Sequence, residues 1–101
     1  MEPMTSDDTR VFLDLMWARY AYLAGERVAT MEAYLSATRD GSQTEEQRAV
    51  AQSAAHNLVG ALGSYHRPGS VEAAQAERLL IDGGPTAELE QLVRRLRELI
   101  T

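Results

Sequence analysis

The chain has 101 residues and a mass of 11.2 kDa, which suits one domain with a single core. It contains no cysteine, and this excludes a disulfide scaffold, a thiolate zinc site and a cysteine nucleophile. Fifteen acidic against ten basic residues give a net charge of −5, which argues against nucleic acid as a partner because phosphate binding needs a cationic surface.

The apolar segments also bear on location. No apolar run approaches the roughly 18 residues that a membrane span needs. Residues 1–8 lack the basic start and the apolar stretch of a signal peptide. We therefore expect a cytoplasmic protein with no membrane partner.

The spacing of apolar residues predicts four helices, with no strand and no internal repeat. The first helix is predicted over residues 8–39, where proline is absent. Its apolar residues recur at mostly helical steps: Phe12, Leu15, Met16, Tyr20, Leu23, Val28, Met31, Tyr34 and Leu35. Gly25 in the interior weakens this prediction, at a cost of about 1 kcal/mol relative to alanine.

A capping box is predicted to begin the second helix, formed either by Ser42 with Glu45 or by Thr44 with Gln47. The helix is predicted to run to about residue 65, where the His-Arg-Pro-Gly sequence of residues 66–69 breaks it. Its expected core stripe is Ala51, Ala55, Leu58, Leu62 and Tyr65.

Two shorter helices complete the prediction. Ser70 is expected to cap the third helix and Thr86 the fourth, on either side of the Asp-Gly-Gly-Pro turn of residues 82–85. The third helix carries Val71, Ala74, Leu79, Leu80 and Ile81, and the fourth Leu89, Leu92, Val93, Leu96, Leu99 and Ile100. Four amphipathic helices with short connections predict one all-α domain over residues 1–101, an antiparallel up-and-down four-helix bundle with a long first helix.

One face of the second helix is unusual. His56, Gly60 and Gly63 lie at i, i+4 and i+7, and Gln52 and Ser53 continue the face one turn earlier. The leucines of this helix point the opposite way, so the histidine is expected to face water. Two interior glycines cost about 2 kcal/mol relative to alanine. They are explained either by close packing against another helix or fraying near the C-terminus of the helix, or by access of a partner to the imidazole.

The electrostatics of the second helix favour an uncharged imidazole. No carboxylate lies one turn from His56 on its own helix, where the neighbours are Gln52, Ser53, Val59 and Gly60. We therefore expect a largely neutral ring near neutral pH, which is the nucleophilic form.

Residues 55–65 read Ala-His-Asn-Leu-Val-Gly-Ala-Leu-Gly-Ser-Tyr. This run resembles the phosphoacceptor motif of histidine-containing phosphotransfer (HPt) domains, roughly His-x-Leu-Lys-Gly-Ser followed by small residues. Residues 68–79, from Pro-Gly-Ser to Glu-Arg-Leu, are similar to the family's next helix, and residues 15–20 to the long first helix of a bacterial subset. The resemblance covers most of the chain.

The resemblance implies a phosphorelay intermediate, which takes a phosphoryl group from a receiver-domain aspartyl phosphate and passes it to another receiver. It implies that His56 is the phosphoacceptor, that Leu58 is a core position below it and that Gly60 leaves room for the phosphoryl group. No cofactor or metal of its own is expected, because the magnesium belongs to the receiver. The expected partners are response-regulator receiver domains, with a hybrid sensor kinase as a further candidate, and a monomer is expected.

The expected docking surface around His56 consists of Gln52, Ser53, Val59, Gly60 and Gly63.

Three positions depart from the family pattern. Val59 stands where lysine is frequent, Ala61 where serine or threonine is common, and His66 near a later glycine. Loss of the lysine would weaken stabilisation of the phosphoryl charge, although in-line positioning and the partner's metal could still support transfer. The alternatives are a degenerate module that docks receivers without phosphotransfer, and a helical adaptor with no link to phosphorelays.

Overall fold

The computed structural model describes residues 5–101, so residues 1–4, part of the segment inspected above for a signal peptide, lie outside it. It contains four helices: α1 (Ser6–Asp40), α2 (Glu45–Ser64), α3 (Ser70–Asp82) and α4 (Thr86–Ile100). The described residues contain no strand, so the prediction of an all-helical protein is confirmed. None of these helices is both long enough and apolar enough to cross a membrane.

The helices occupy the corners of a bundle. Helix α2 lies beside α1 and α3, and α4 lies beside the same two helices, whereas within residues 5–101 no Cα atoms of the diagonal pairs come within 8 Å of each other. The core lies between the four helices, and its largest fully buried side chains are Met31, Leu58, Leu62, Leu96, Val28 and Val93. This core supports the outward face of α2.

The first residues of the helices differ from two of the predicted caps. Thr44 and Gln47 form the predicted capping box of α2, with both reciprocal hydrogen bonds present. Gly69, in a left-handed conformation, precedes α3, and Pro85 precedes α4. Ser70 and Thr86 are therefore the first helical residues and not the caps. The Ser70 hydroxyl donates instead to the Val59 carbonyl at 3.2 Å, which ties α3 to α2.

Helix α1 corrects part of the predicted burial. Phe12, Leu15 and Leu23 are exposed, while Trp17 and Val28 are buried. At about 100° per residue, the three exposed side chains lie on the side of α1 opposite to its buried stripe. The helix thus carries two apolar stripes, and only one of them faces the bundle.

Helix α3 also buries residues other than those predicted. Val71, Ala74 and Ile81 are exposed, and the buried residues of this helix are Ala73, Ala76 and Leu80. Two of these three buried residues are alanines, and the β-branched Val71 and Ile81 lie on the outer side of the helix.

Candidate functional site

His56 lies in the middle of α2 and projects from the bundle. Its side chain is 72% exposed, while Ala55 and Leu58 beside it on the helix are fully buried. The predictions that His56 faces water and that Leu58 belongs to the core are confirmed. The imidazole is therefore open to another molecule, and the backbone that carries it is fixed by the core.

One nitrogen of the imidazole has a partner on another helix. The Nδ1 atom of His56 lies 2.8 Å from the Oε2 atom of Glu77 on α3, and the Glu77 side chain is mostly buried. A carboxylate at this distance accepts a hydrogen bond from Nδ1–H. In that tautomer the Nε2 atom carries the free lone pair, so Nε2 is the nucleophilic atom of the site.

Glu77 is a carboxylate neighbour of His56 that the sequence of α2 alone could not reveal. It is 21 positions from His56 in the sequence, so the search for carboxylates one turn away could not find it. The structure shows where it lies on α3, since Glu77 follows the buried Ala76 and lies four residues after the buried Ala73. These spacings place Glu77 at the edge of the α3 face that packs on the bundle.

The glycines beside His56 are not required by packing inside the chain. A Cβ atom built on Gly60 would meet nothing within 4 Å, and one on Gly63 would meet only the Ser70 hydroxyl, at 3.9 Å. An intramolecular packing seam therefore does not explain these two residues. They leave a bare strip of helix next to the imidazole.

The remaining residues of the expected docking surface differ in orientation. Ser53 is exposed, whereas Gln52 is half-buried and accepts a hydrogen bond from Arg48 at 2.8 Å. Val59 is also half-buried and packs against the core, so it adds less to an exposed apolar patch than its position beside His56 suggested. The open part of the surface is thus Ser53, His56 and the two glycines.

Arg48 fixes one flank of this surface. Its guanidinium donates to Glu45 and Gln52 on α2 and to the Leu80 carbonyl of α3. The hydrogen bond from Arg48 lowers the pKa of Glu45 below its ordinary value and raises that of Arg48. Both groups therefore stay charged near neutral pH, and the hydrogen bond from Arg48 to Leu80 holds α2 against the end of α3.

Residues 5–101 bring together no group of three or more histidine, aspartate or glutamate side chains that could hold a metal ion. Comparisons with protein-family models, with curated proteins and with solved structures gave no match. The sequence motif of residues 55–65 and the geometry of His56 are therefore the observations that bear on function.

Proposed function

We propose that this chain is an HPt-type phosphorelay intermediate, an antiparallel up-and-down four-helix bundle with a long first helix that works in the cytoplasm. His56 accepts a phosphoryl group from the aspartyl phosphate of one receiver domain and passes it to the aspartate of another. Response-regulator receiver domains are its partners, with a hybrid sensor kinase as a further candidate donor, and neither nucleic acid nor a membrane takes part.

The orientation of His56 carries this proposal. The ring is exposed at mid-helix, its Nδ1 atom is held by Glu77, and the adjacent strip at Gly60 and Gly63 has no side chains. A phosphoryl donor therefore meets a positioned nitrogen on an unobstructed surface. Such positioning supplies much of the barrier reduction in phosphoryl transfer.

In the Nδ1–H tautomer of His56, the Nε2 atom is the one that takes part in phosphoryl transfer. The Nε2 lone pair attacks phosphorus in line, the bond between phosphorus and the donor carboxylate oxygen breaks, and the carboxylate keeps that electron pair. In the return step the second receiver's carboxylate attacks phosphorus, and the N–P electron pair goes back to Nε2. The Nδ1–H···Glu77 hydrogen bond spreads the positive charge that the ring carries while it is phosphorylated.

A degenerate docking module is the second candidate, favoured by Val59. The chain has no lysine at this position or at any other, so no ammonium group stabilises the phosphoryl charge. In this candidate the surface at Ser53 and Gly60 binds a receiver, but His56 is not phosphorylated.

Incubation with a radiolabelled, phosphorylated receiver domain tests the proposal. The label is expected on the wild-type chain in an acid-labile, base-stable form, as phosphohistidine requires. It should be absent from the His56→Gln variant. The matched control is His66→Gln, which changes the only other histidine, an exposed residue at the end of α2, and should leave labelling intact.

The outcomes separate the two candidates. Receiver binding without label on the wild-type chain would favour the docking module. Label on His66, or label that survives in His56→Gln, would refute the assignment of the acceptor. Neither binding nor label with any receiver would leave the helical adaptor as the remaining explanation.

A further inference from the structure

The outer face of α1 carries an apolar stripe that covers no part of the bundle. Val11, Phe12, Leu15, Tyr22 and Leu23 are between 45% and 76% exposed. Such a stripe along one helix has an apolar area on the order of 500 Å², comparable to the largest patch of a typical monomer and often functional. A stripe of this size suggests an interaction surface.

The spacing of the stripe matches a helix pairing with another helix. Three of its residues, Val11, Leu15 and Tyr22, follow each other with the exposed Ala18 at steps of four, three and four residues, whereas Phe12 and Leu23 lie to one side of this seam. This is the period of 3.5 at which the seam of a two-helix coiled coil repeats. The stripe is therefore shaped for a second α-helix, and a flat or irregular partner surface would match it less well.

We propose that this face binds a second copy of the chain, with the two α1 helices antiparallel about a twofold axis between residues 16 and 17. In this register Val11 packs against Tyr22 of the partner copy and Leu15 against its Ala18, so larger side chains meet smaller ones. Asp8, the next position of the seam, lies opposite the partner's Gly25. A parallel pairing would instead place the two Asp8 carboxylates against each other.

The charges beside the seam agree with the antiparallel pairing. Arg19 then lies beside Phe12 of the partner copy, and Asp14 beside its Ala21, so no like charges meet. Because Leu23 lies off the seam, two such faces bury less than about 1,000 Å² in total, which is the lower limit for a specific stable interface. A weak dimer, populated only at the higher protein concentrations, is therefore expected, in place of the monomer expected from the sequence.

The dimer leaves the proposed phosphoacceptor free. His56 and Glu77 lie where α2 meets α3, and α1 and α3 occupy diagonal corners of the bundle. The outer face of α1 points away from the core and hence away from that edge. One dimer therefore presents two open His56 sites, and dimerisation does not depend on phosphotransfer.

Sedimentation equilibrium from about 1 µM to about 1 mM, the range in which a small interface dissociates, tests the proposal. The mass is expected to rise from 11.2 kDa toward twice that value. Leu15→Glu should raise the dissociation constant at least about 100-fold, because it places an unpaired charge in the seam. Val71→Glu, at an equally exposed position of α3, is the matched control and should not change it.

Cross-linking tests the direction of the helices, because the natural chain has no cysteine. Val11→Cys and Tyr22→Cys are prepared as separate variants. The antiparallel pairing predicts a disulfide only in the mixture of the two, whereas cross-linking of each variant alone would refute it. A mass of 11.2 kDa at every concentration, or a dimer weakened equally by the control, would overturn the proposed interface.

Discussion

At the scale of single residues, a substitution at Gly60 is expected to change the stability of the fold and the access of a partner to His56 in opposite directions. Its replacement by alanine adds a methyl group where nothing lies within 4 Å. The Gly60→Ala variant should therefore be more stable by about 1 kcal/mol, because alanine has the higher helix propensity. The same methyl group fills the bare strip beside His56, so transfer from a phosphorylated receiver should slow by about tenfold or more. Denaturant unfolding and radiolabel transfer measure the two effects.

Gly63→Ala is the matched control for this prediction. It also lies in the helix with free space around it, but almost two turns from His56, so we expect a similar gain in stability and a smaller effect on transfer. Unchanged transfer in Gly60→Ala would show that the bare strip does not serve access to the imidazole.

Glu77 is expected to act as a positioning residue through the His56 tautomer. Removal of its carboxylate in Glu77→Ala should lower the fraction of Nδ1–H imidazole and slow phosphotransfer, whereas Glu77→Gln keeps an oxygen acceptor and should retain most of both. Nitrogen-15 NMR of the imidazole measures the tautomer directly. A structural role alone would not change the ratio of the two ring nitrogens.

Glu72→Ala supplies the control on the same helix. Glu72 is also half-buried on α3 but makes no side-chain hydrogen bond within residues 5–101, so its removal should leave the His56 tautomer unchanged. An Nδ1–H fraction that does not fall in Glu77→Ala would mean that the hydrogen bond is not formed in solution.

These residues show how far sequence reasoning can reach into the site. The exposure of His56 and the bare strip at Gly60 follow from a single helical wheel, because both depend only on positions within α2. Glu77 depends on how α3 is rotated against α2, and that rotation is set by packing of Ala73 and Ala76. No pattern within one helix determines it.

At the scale of elements, periodicity identifies a helix better than it identifies the buried face. The four helices could be predicted because apolar spacing, the Thr44 capping box and two breaking turns agree. In α1, however, Leu15 and Val28 both belong to apolar stripes with helical spacing, and only the positions of α2 and α4 decide which stripe is buried. For the same reason, the spacing of apolar residues in α3 does not reveal that Val71 is exposed.

The ion pair between Arg39 of α1 and Glu90 of α4 gives a pH-dependent contribution to stability. The hydrogen bond from Arg39 lowers the pKa of Glu90 below its ordinary value of 4.5. A carboxyl group whose pKa is lower in the folded than in the unfolded state stabilises the fold at pH values above the unfolded-state pKa. This contribution is lost as the pH falls through the folded-state pKa. Glu90→Gln should therefore be less stable than wild type at pH 7, and the difference should vanish in acid.

Glu88→Gln is the control for the pH experiment. Glu88 lies in the first turn of the same helix, is exposed, and forms no ion pair within the described residues. Thermal unfolding between neutral and acidic pH should show a pH-dependent loss for Glu90→Gln that exceeds any loss for Glu88→Gln. Equal behaviour of the two variants would mean that the Arg39 contact does not stabilise the folded state.

At the scale of the whole molecule, one core links the two ends of the bundle. Trp17 packs with Tyr20 and Tyr65 at one end, with ring centroids 5.5 to 6.0 Å apart. Leu58 lies in the same continuous cluster of buried side chains, beneath the segment that carries His56. The site therefore depends on the stability of the entire bundle, and the bundle is expected to unfold in one cooperative step.

Leu58→Ala tests this dependence. Leu58 is fully buried, so its truncation leaves a cavity and should lower the free energy of unfolding by about 2 to 5 kcal/mol. Val50→Ala, on the exposed side of the same helix, should change it by less than about 0.5 kcal/mol. Denaturant unfolding followed by fluorescence of Trp17, the only tryptophan, and by far-UV circular dichroism provides the measurement.

Fluorescence of Trp17 reports on one end of the core, whereas the circular dichroism signal comes from all four helices. If the core is single, the unfolding transitions followed by these two signals must coincide and must shift together in Leu58→Ala. A fluorescence transition that stays in place while the helical signal shifts would divide the molecule into two independently stable parts. The aromatic end of α1 would then form one part and the platform beneath His56 the other, and a mutation in the core could remove the site without unfolding the rest of the chain.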